Sequence, residues 1–167
     1  MDNFSLKNGI FQLSDQVAVP SGALQIVVRD GKTGRIKNVS HYKNMFVTSG
    51  KQQVAGALRG NVANGHGQIL YMELGTGTRA PALSDVTLQT PLFRKLISVA
   101  SDASNVATFQ TFFATSEAIG NLQEAGLFGG ENATISLSSG AIFCRTNISH
   151  VKSSNDTLTI TWNVTIG

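Results

Sequence analysis

Apolar and polar positions alternate most strictly near the end of the chain. Leu158, Ile160, Trp162, Val164 and Ile166 are separated by Thr159, Thr161, Asn163 and Thr165. A period of two with β-branched enrichment predicts a strand that buries one face. A helix would scatter the same five residues around its circumference. Asn155-Asp156 marks the turn that precedes it. Upstream, Ala23 to Arg29 sets Leu24, Ile26 and Val28 on one side. Asp30-Gly31-Lys32-Thr33-Gly34 then turns, and Arg35 to Tyr42 returns with Ile36 and Val39, which predicts a hairpin. Residues 69–74, 92–100, 106–114 and 141–148 are further predicted strands, with Asp102-Ala103-Ser104-Asn105 as a turn between two of them.

One helix is predicted, Ser49 to Leu58. Thr48 or Ser49 caps its first amides, Val54, Ala55 and Leu58 share a face, and Gly60 ends it. Gly56 weakens it or permits close packing, and a helix this short needs the sheet to hold it. No β-α alternation appears. Strands at this spacing argue for an antiparallel sandwich or barrel, and the expected fold is all-β: an antiparallel β-sandwich with one short helix over residues 23–167, preceded by an extended N-terminal arm over residues 1–22. A length of 167 residues fits one domain.

Composition changes this picture in one respect. Charged residues make up 14% of the chain, against about 25% in an ordinary soluble domain. Ser, Thr, Asn, Gln and Gly fill the deficit. A surface with few charges loses little solvation when covered, and interface cores are depleted of Lys, Glu and Asp for that reason. The expectation is a surface built for repeated contact with neighbours, copies of the chain included. A threonine-rich β-sandwich surface without partners has the same composition.

The net charge is +3, unevenly spread: Arg29, Lys32, Arg35, Lys37, Lys43, Lys51 and Arg59 share a window with Asp30 as its only acid. Such a block can mark contact with nucleic acid or an anionic surface. Few aromatics interleave with these cations to stack on bases, so nucleic acid is disfavoured against a solvated surface or an acidic neighbour. No apolar run reaches the roughly 18 residues of a membrane span, and the N-terminus has no basic region leading into an apolar one, so no secretory signal is expected.

Candidate chemistry is sparse. Gly31-Lys32-Thr33 lacks the earlier glycine of a phosphate loop, since Ile26 holds that position, and a hairpin follows instead of a helix. Gly75-Thr76-Gly77 is followed by Pro81 and Asp85 where a dinucleotide fold needs a helix. His41, His66 and His150 show no metal-ligand spacing. Cys144 lies on an apolar strand, reads as a buried small hydrophobe, and has no second cysteine to pair with. Glu73, Asp85, Glu117, Glu124 and Glu131 lie near predicted turns with nothing to fix a catalytic separation. No catalytic residue, cofactor, metal or small-molecule substrate is expected.

Two motifs stand out. Leu74-Gly75-Thr76-Gly77-Thr78-Arg79-Ala80-Pro81 runs on to Asp85 and re-enters a strand at Leu92-Phe93-Arg94; Glu124-Ala125-Gly126-Leu127-Phe128 follows thirty residues later. The first spacing suits a long rim loop folded back on a sheet. Gly126 permits a bend or a close approach, and the Glu124 carboxylate can accept turn amides or pair with a cation, for which Arg94 is the candidate. Over residues 40–167 these motifs resemble a domain of tailed-bacteriophage virion proteins, where a GTG-x-x-AP-x-x-x-D segment leads into a basic strand and an E-x-GLF turn comes later. The resemblance implies a viral structural protein of the tail, baseplate or fibre-attachment region, made in the host cytoplasm and carried in the virion. Its expected partners are other virion proteins and copies of itself, with no membrane. Phe4, Leu6, Ile10, Phe11 and Leu13 are the candidate anchors of the arm, either on a partner or as an extra strand on the domain's own sheet. No repeats or heptads suggest a fibre shaft, which keeps a capsid decoration (cement) protein as an alternative. A carbohydrate-binding receptor-recognition module is the alternative from another class, although aromatics are only 7% of the chain.

Overall fold

A computed structural model describes residues 4–7, 10–13, 21–63 and 65–166. The elements are β1 (Phe4–Lys7), β2 (Ile10–Leu13), β3 (Ser21–Asp30), β4 (Ile36–Phe46), α1 (Thr48–Leu58), β5 (Ile69–Gly75), β6 (Pro91–Leu96), β7 (Val99–Ala103), β8 (Val106–Phe113), β9 (Gly120–Gly129), β10 (Ala141–Lys152) and β11 (Asp156–Thr165). Nine strands form one antiparallel sheet in the order β6-β5-β9-β10-β4-β3-β11-β8-β7. It curls into a half-barrel. The expected all-β antiparallel class with one short helix is present, but the strands form one continuous sheet.

Two stretches of chain explain that continuity. β4 pairs with β3 from Ile36 to Asn44, and only its last two residues, Met45 and Phe46, pair with β10. The predicted strand 92–100 is broken between β6 and β7. There the Ile97 amide donates to Leu70 O, on the β5 side, and the Ser98 amide to Gln110 O, on the β8 side. The chain thus leaves one edge of the sheet and enters the other, which brings the edges together around the core. Leu24, Ile26 and Val28 of β3, Met72 and Leu74 of β5 and Leu158, Ile160 and Trp162 of β11 fill that core, and Phe93 meets Phe113 edge-on at 6.1 Å. The alternation in β3 and β11 arises because one face meets this core and the other meets solvent.

α1 begins one residue earlier than expected, and of its expected face Val54 packs against the core while Leu58 does not. Val47 is its N-cap and no side chain caps it. The Val47 and Thr48 amides donate to Phe143 O and Leu83 O, so neighbouring backbone satisfies them, and Ser49 Oγ donates to Ile142 O. Leu58 is 85% exposed, and the only fully buried helix position is Gly50. A Cβ there would lie 2.5 Å from Phe143 O, so the glycine lets the helix backbone approach β10. The Arg59 and Gly60 amides close the helix on Ala55 O and Ala57 O.

Where an extended arm is expected, β1 and β2 pair as a two-stranded antiparallel hairpin in a sheet of its own, Phe4 opposite Leu13 and Leu6 opposite Phe11. The side chains of the candidate anchors Phe4, Leu6, Ile10, Phe11 and Leu13 lie outside the described residues. β3 opens at Ser21, two residues before the expected boundary.

Candidate functional site

The part of the sheet formed by β6, β5, β9 and β10 is covered on both faces. Met72, Leu74, Ala125 and Leu127 point to the main core. On the opposite face Val47, Leu88, Phe128 and Ile142 form a second apolar cluster. Residues 76–90, 130–140 and α1 cover this second face. β9 is therefore buried along most of its length, and Glu124 to Phe128 form a central strand instead of the expected turn.

Glu124 is fully buried beneath the loop 76–90. Its Oε1 accepts the amides of Gly77 at 3.1 Å and Thr90 at 2.7 Å; its Oε2 accepts the Gln89 amide at 2.9 Å and Arg145 Nη2 at 2.7 Å. Arg145, also fully buried, reaches Asp85 Oδ2 with Nη1 at 2.5 Å and Arg79 O with Nη2 at 3.0 Å. Asp85 completes the set by accepting the Ala82 amide and Arg79 Nη2. One guanidinium therefore joins two carboxylates from the two motifs and draws the loop onto the sheet. The expectation of a rim loop folded back on the sheet describes this geometry.

Both glycines of the first motif acquire a physical reason here. A Cβ on Gly75 would lie 2.6 Å from Glu124 Oε1, and one on Gly77 would lie 2.5 Å from the same atom and 2.6 Å from Gln89 Cβ. The carboxylate occupies the space that a side chain would need. Gly77→Ala is expected to cost about 1–3 kcal/mol by overpacking. At exposed Thr78 next to it, Thr78→Ala should stay within about 0.5 kcal/mol. Urea unfolding of both variants checks the contrast.

The expected Arg94–Glu124 pair is not formed, and each residue has another partner. Arg94 lies directly across from Glu73 in the β5–β6 register and donates through Nη1 to Glu73 Oε2 at 3.0 Å. Its Nη2 reaches Ser139 O at 2.8 Å, and its guanidinium sits 4.6 Å and 4.7 Å from the ring centres of Tyr71 and Phe128. Ser138 N also donates to Glu73 Oε2. This second buried pair ties down the loop 130–140 as the first ties down the loop 76–90, and Thr87 Oγ1 to Ser138 Oγ links the two loops. Register separates the pairs: Glu124 lies opposite Gly75 on one side and Asn147 on the other, away from Arg94.

The two pairs differ electrostatically. For Glu124, burial works to raise the carboxyl pKa, but the amides of Thr90 and Gln89 together with Arg145 outweigh it and hold it below the usual range. Asp85 is held down in the same way, with burial opposed by the Ala82 amide, Arg145 and Arg79. For Glu73, burial wins over the Ser138 amide and Arg94, and the carboxyl is raised. Its second oxygen has no hydrogen-bond partner among the described residues.

Sequence reasoning missed Arg145 and Lys152. Lys152 is 1% exposed, its Nζ donates to Ala114 O at 2.8 Å, and burial pushes its pKa down. Arg145 left a signal, because a charge inside the apolar run Ala141-Ile142-Phe143-Cys144 must meet an opposite charge. Cys144 is buried, and desolvation pushes its thiol up, away from thiolate chemistry. Among the described residues no three of His, Cys, Asp and Glu gather as a metal site. A cleft of about 370 Å³ between α1 and the loop 76–90 reaches Asp85, but both Asp85 oxygens are already occupied. Among the described residues no helix is long and apolar enough to cross a membrane. No family model, no curated protein and no solved structure matches this chain.

Proposed function

We infer that the protein is a non-catalytic structural component of a tailed-phage virion, present in several copies and docked to neighbouring proteins in the tail, baseplate or fibre-attachment region. One observation supports the structural, non-catalytic part of this reading. The motif residues Gly75, Gly77, Asp85 and Glu124 are consumed in a buried clasp with Arg145. Their conjunction is explained by the shape of the loop 76–90, and their polar atoms are spent on holding it. A carboxylate that accepts four hydrogen bonds has no free lone pair with which to take a proton from a substrate. The outer face of β8 and β11, which carries Thr108, Gln110, Thr159, Thr161 and Asn163 and no charge, suits contact with neighbours at little desolvation cost.

Imaging of assembled particles carrying a labelled copy tests the reading. The label is expected at the tail in a small ring; a copy number that follows the capsid lattice favours the decoration role, and absence from every particle contradicts both. Deleting residues 1–20 is expected to spare folding and abolish incorporation. If the domain unfolds instead, the N-terminal segment belongs to the domain's own structure. The carbohydrate alternative lacks a platform at Trp162, which is 0% exposed in the core.

A further inference from the structure

The surface cations of this chain are unevenly spread. Glu73, Asp85 and Glu124 are buried together with Arg94 and Arg145, and Asp156 is buried with its carboxylate held by Lys37 and Ser153. Arg29, Lys32, Arg35, Lys37 and Lys43 gather on β3, β4 and the turn between them. The one acid of that turn, Asp30, accepts the Lys32 and Thr33 amides and the Thr33 hydroxyl through Oδ1. The turn is anchored on the body by the Gly31 amide, which donates to Asn155 O at 2.7 Å.

The same strand offers an open edge. β4 pairs with β3 along its length, but β10 joins it only at Met45 and Phe46. Tyr42 Oη meets the Ser149 amide and carbonyl, and Thr146 Oγ1 donates to Lys43 O. Beyond that point, from Ile36 to His41, β4 has no second strand among the described residues. Ile36 is 49% and Val39 43% exposed along this stretch. An open edge of this kind is a template for another strand.

We propose that residues 36–41 of β4, with the cations of the adjoining turn, form a strand-addition site for an extended acidic segment of a partner protein. Backbone pairing would supply the register, Ile36 and Val39 the apolar contacts, and Lys32 and Arg35, which are in no ion pair described, the charge match. A second copy of the same edge is a poor occupant. Antiparallel pairing about Val39 would set Arg35 against Lys43 on both sides, so cations would face cations and the edge is guarded against itself. Nucleic acid is also a poor fit, because the only aromatic here, Tyr42, is half-buried and its hydroxyl is engaged. The site does not depend on the virion reading.

The test titrates the full-length chain with a ten-residue peptide of alternating glutamate and valine while amide resonances are followed. The controls are the lysine–valine counterpart and a single-stranded oligonucleotide. The acidic peptide should shift the amides of residues 36–41 selectively. The double variant Lys32→Glu and Arg35→Glu, both exposed and outside every ion pair described, should weaken binding about tenfold with an unchanged circular dichroism spectrum. The proposal is overturned if the amides do not move, if the lysine peptide or the oligonucleotide binds as well, or if the double variant binds normally. It is also overturned if these amides are protected without peptide and deletion of residues 1–20 exposes them, since the occupant is then the chain's own N-terminus.

Discussion

Arg145→Met is expected to lower the unfolding free energy by about 3–5 kcal/mol, because it leaves buried Glu124 without its counter-ion and Asp85 with only the half-exposed Arg79. A typical domain has about 5–15 kcal/mol in all, so this one change removes a large part of it. Arg145 donates to Asp85, Glu124 and Arg79 O from two terminal nitrogens, a forked geometry that an ammonium cannot reproduce. Arg145→Lys should therefore recover less than half of the loss. Arg79 also contacts Asp85, but its side chain is 47% exposed, and Arg79→Ala should cost no more than about 1 kcal/mol. If the methionine variant does not fold, the lysine variant and the Arg79 comparison still rank the contacts. Equal losses for Arg79→Ala and Arg145→Lys would refute the assignment of Arg145 as the centre of the clasp.

The second large effect is a pH dependence with opposite signs at two glutamates. Glu124 and Asp85 have folded pKa values below their unfolded values of about 4.3 and 3.9. In acid the unfolded state therefore binds more protons. Their contribution is complete above the unfolded pKa and is lost as pH falls through the lower folded values. Glu73 is raised, so its contribution is complete below the unfolded pKa and is lost as pH rises through the folded value. Glu124→Gln should then cost more at pH 7 than at pH 3, and the variant's acid limb should be shallower than that of the wild type. Glu73→Gln should cost less at pH 7 than at pH 4, because glutamine resembles the protonated form that burial favours there. Chemical unfolding across pH 3–7 measures both; two curves of the same sign would contradict the electrostatic difference between the pairs.

These residues also show what a sequence can reveal of this fold. β11 was legible because one face meets the core and the other meets solvent, which writes a period of two into Leu158 to Val164. β9 was not, because both its faces are covered and the alternation disappears. Glu124-Ala125-Gly126 then resembles a turn, while its glycine in fact makes room for Phe128, Leu88 and Ile142. The helix is legible and its docking only in part: Val54 packs against the core as the spacing suggests, while the close approach at Gly50 leaves no apolar stripe to read. The role of Glu124 as an acceptor of turn amides was readable from its chemistry. Its cation was not, because the choice between Arg94 and Arg145 depends on strand register, which a long loop and a crossover conceal. The division into one sheet was hidden for a similar reason: the break at Ile97-Ser98 lies inside a continuous strand-like run.

Hydrogen exchange of the Gly77, Gln89 and Thr90 amides is the most direct measurement of the clasp. All three donate to the Glu124 carboxylate, so they should exchange slowly for loop residues, and Arg145→Met should accelerate all three together. Fast exchange in the wild-type protein, or unchanged exchange in the variant, would mean that Arg145 does not hold the loop in place.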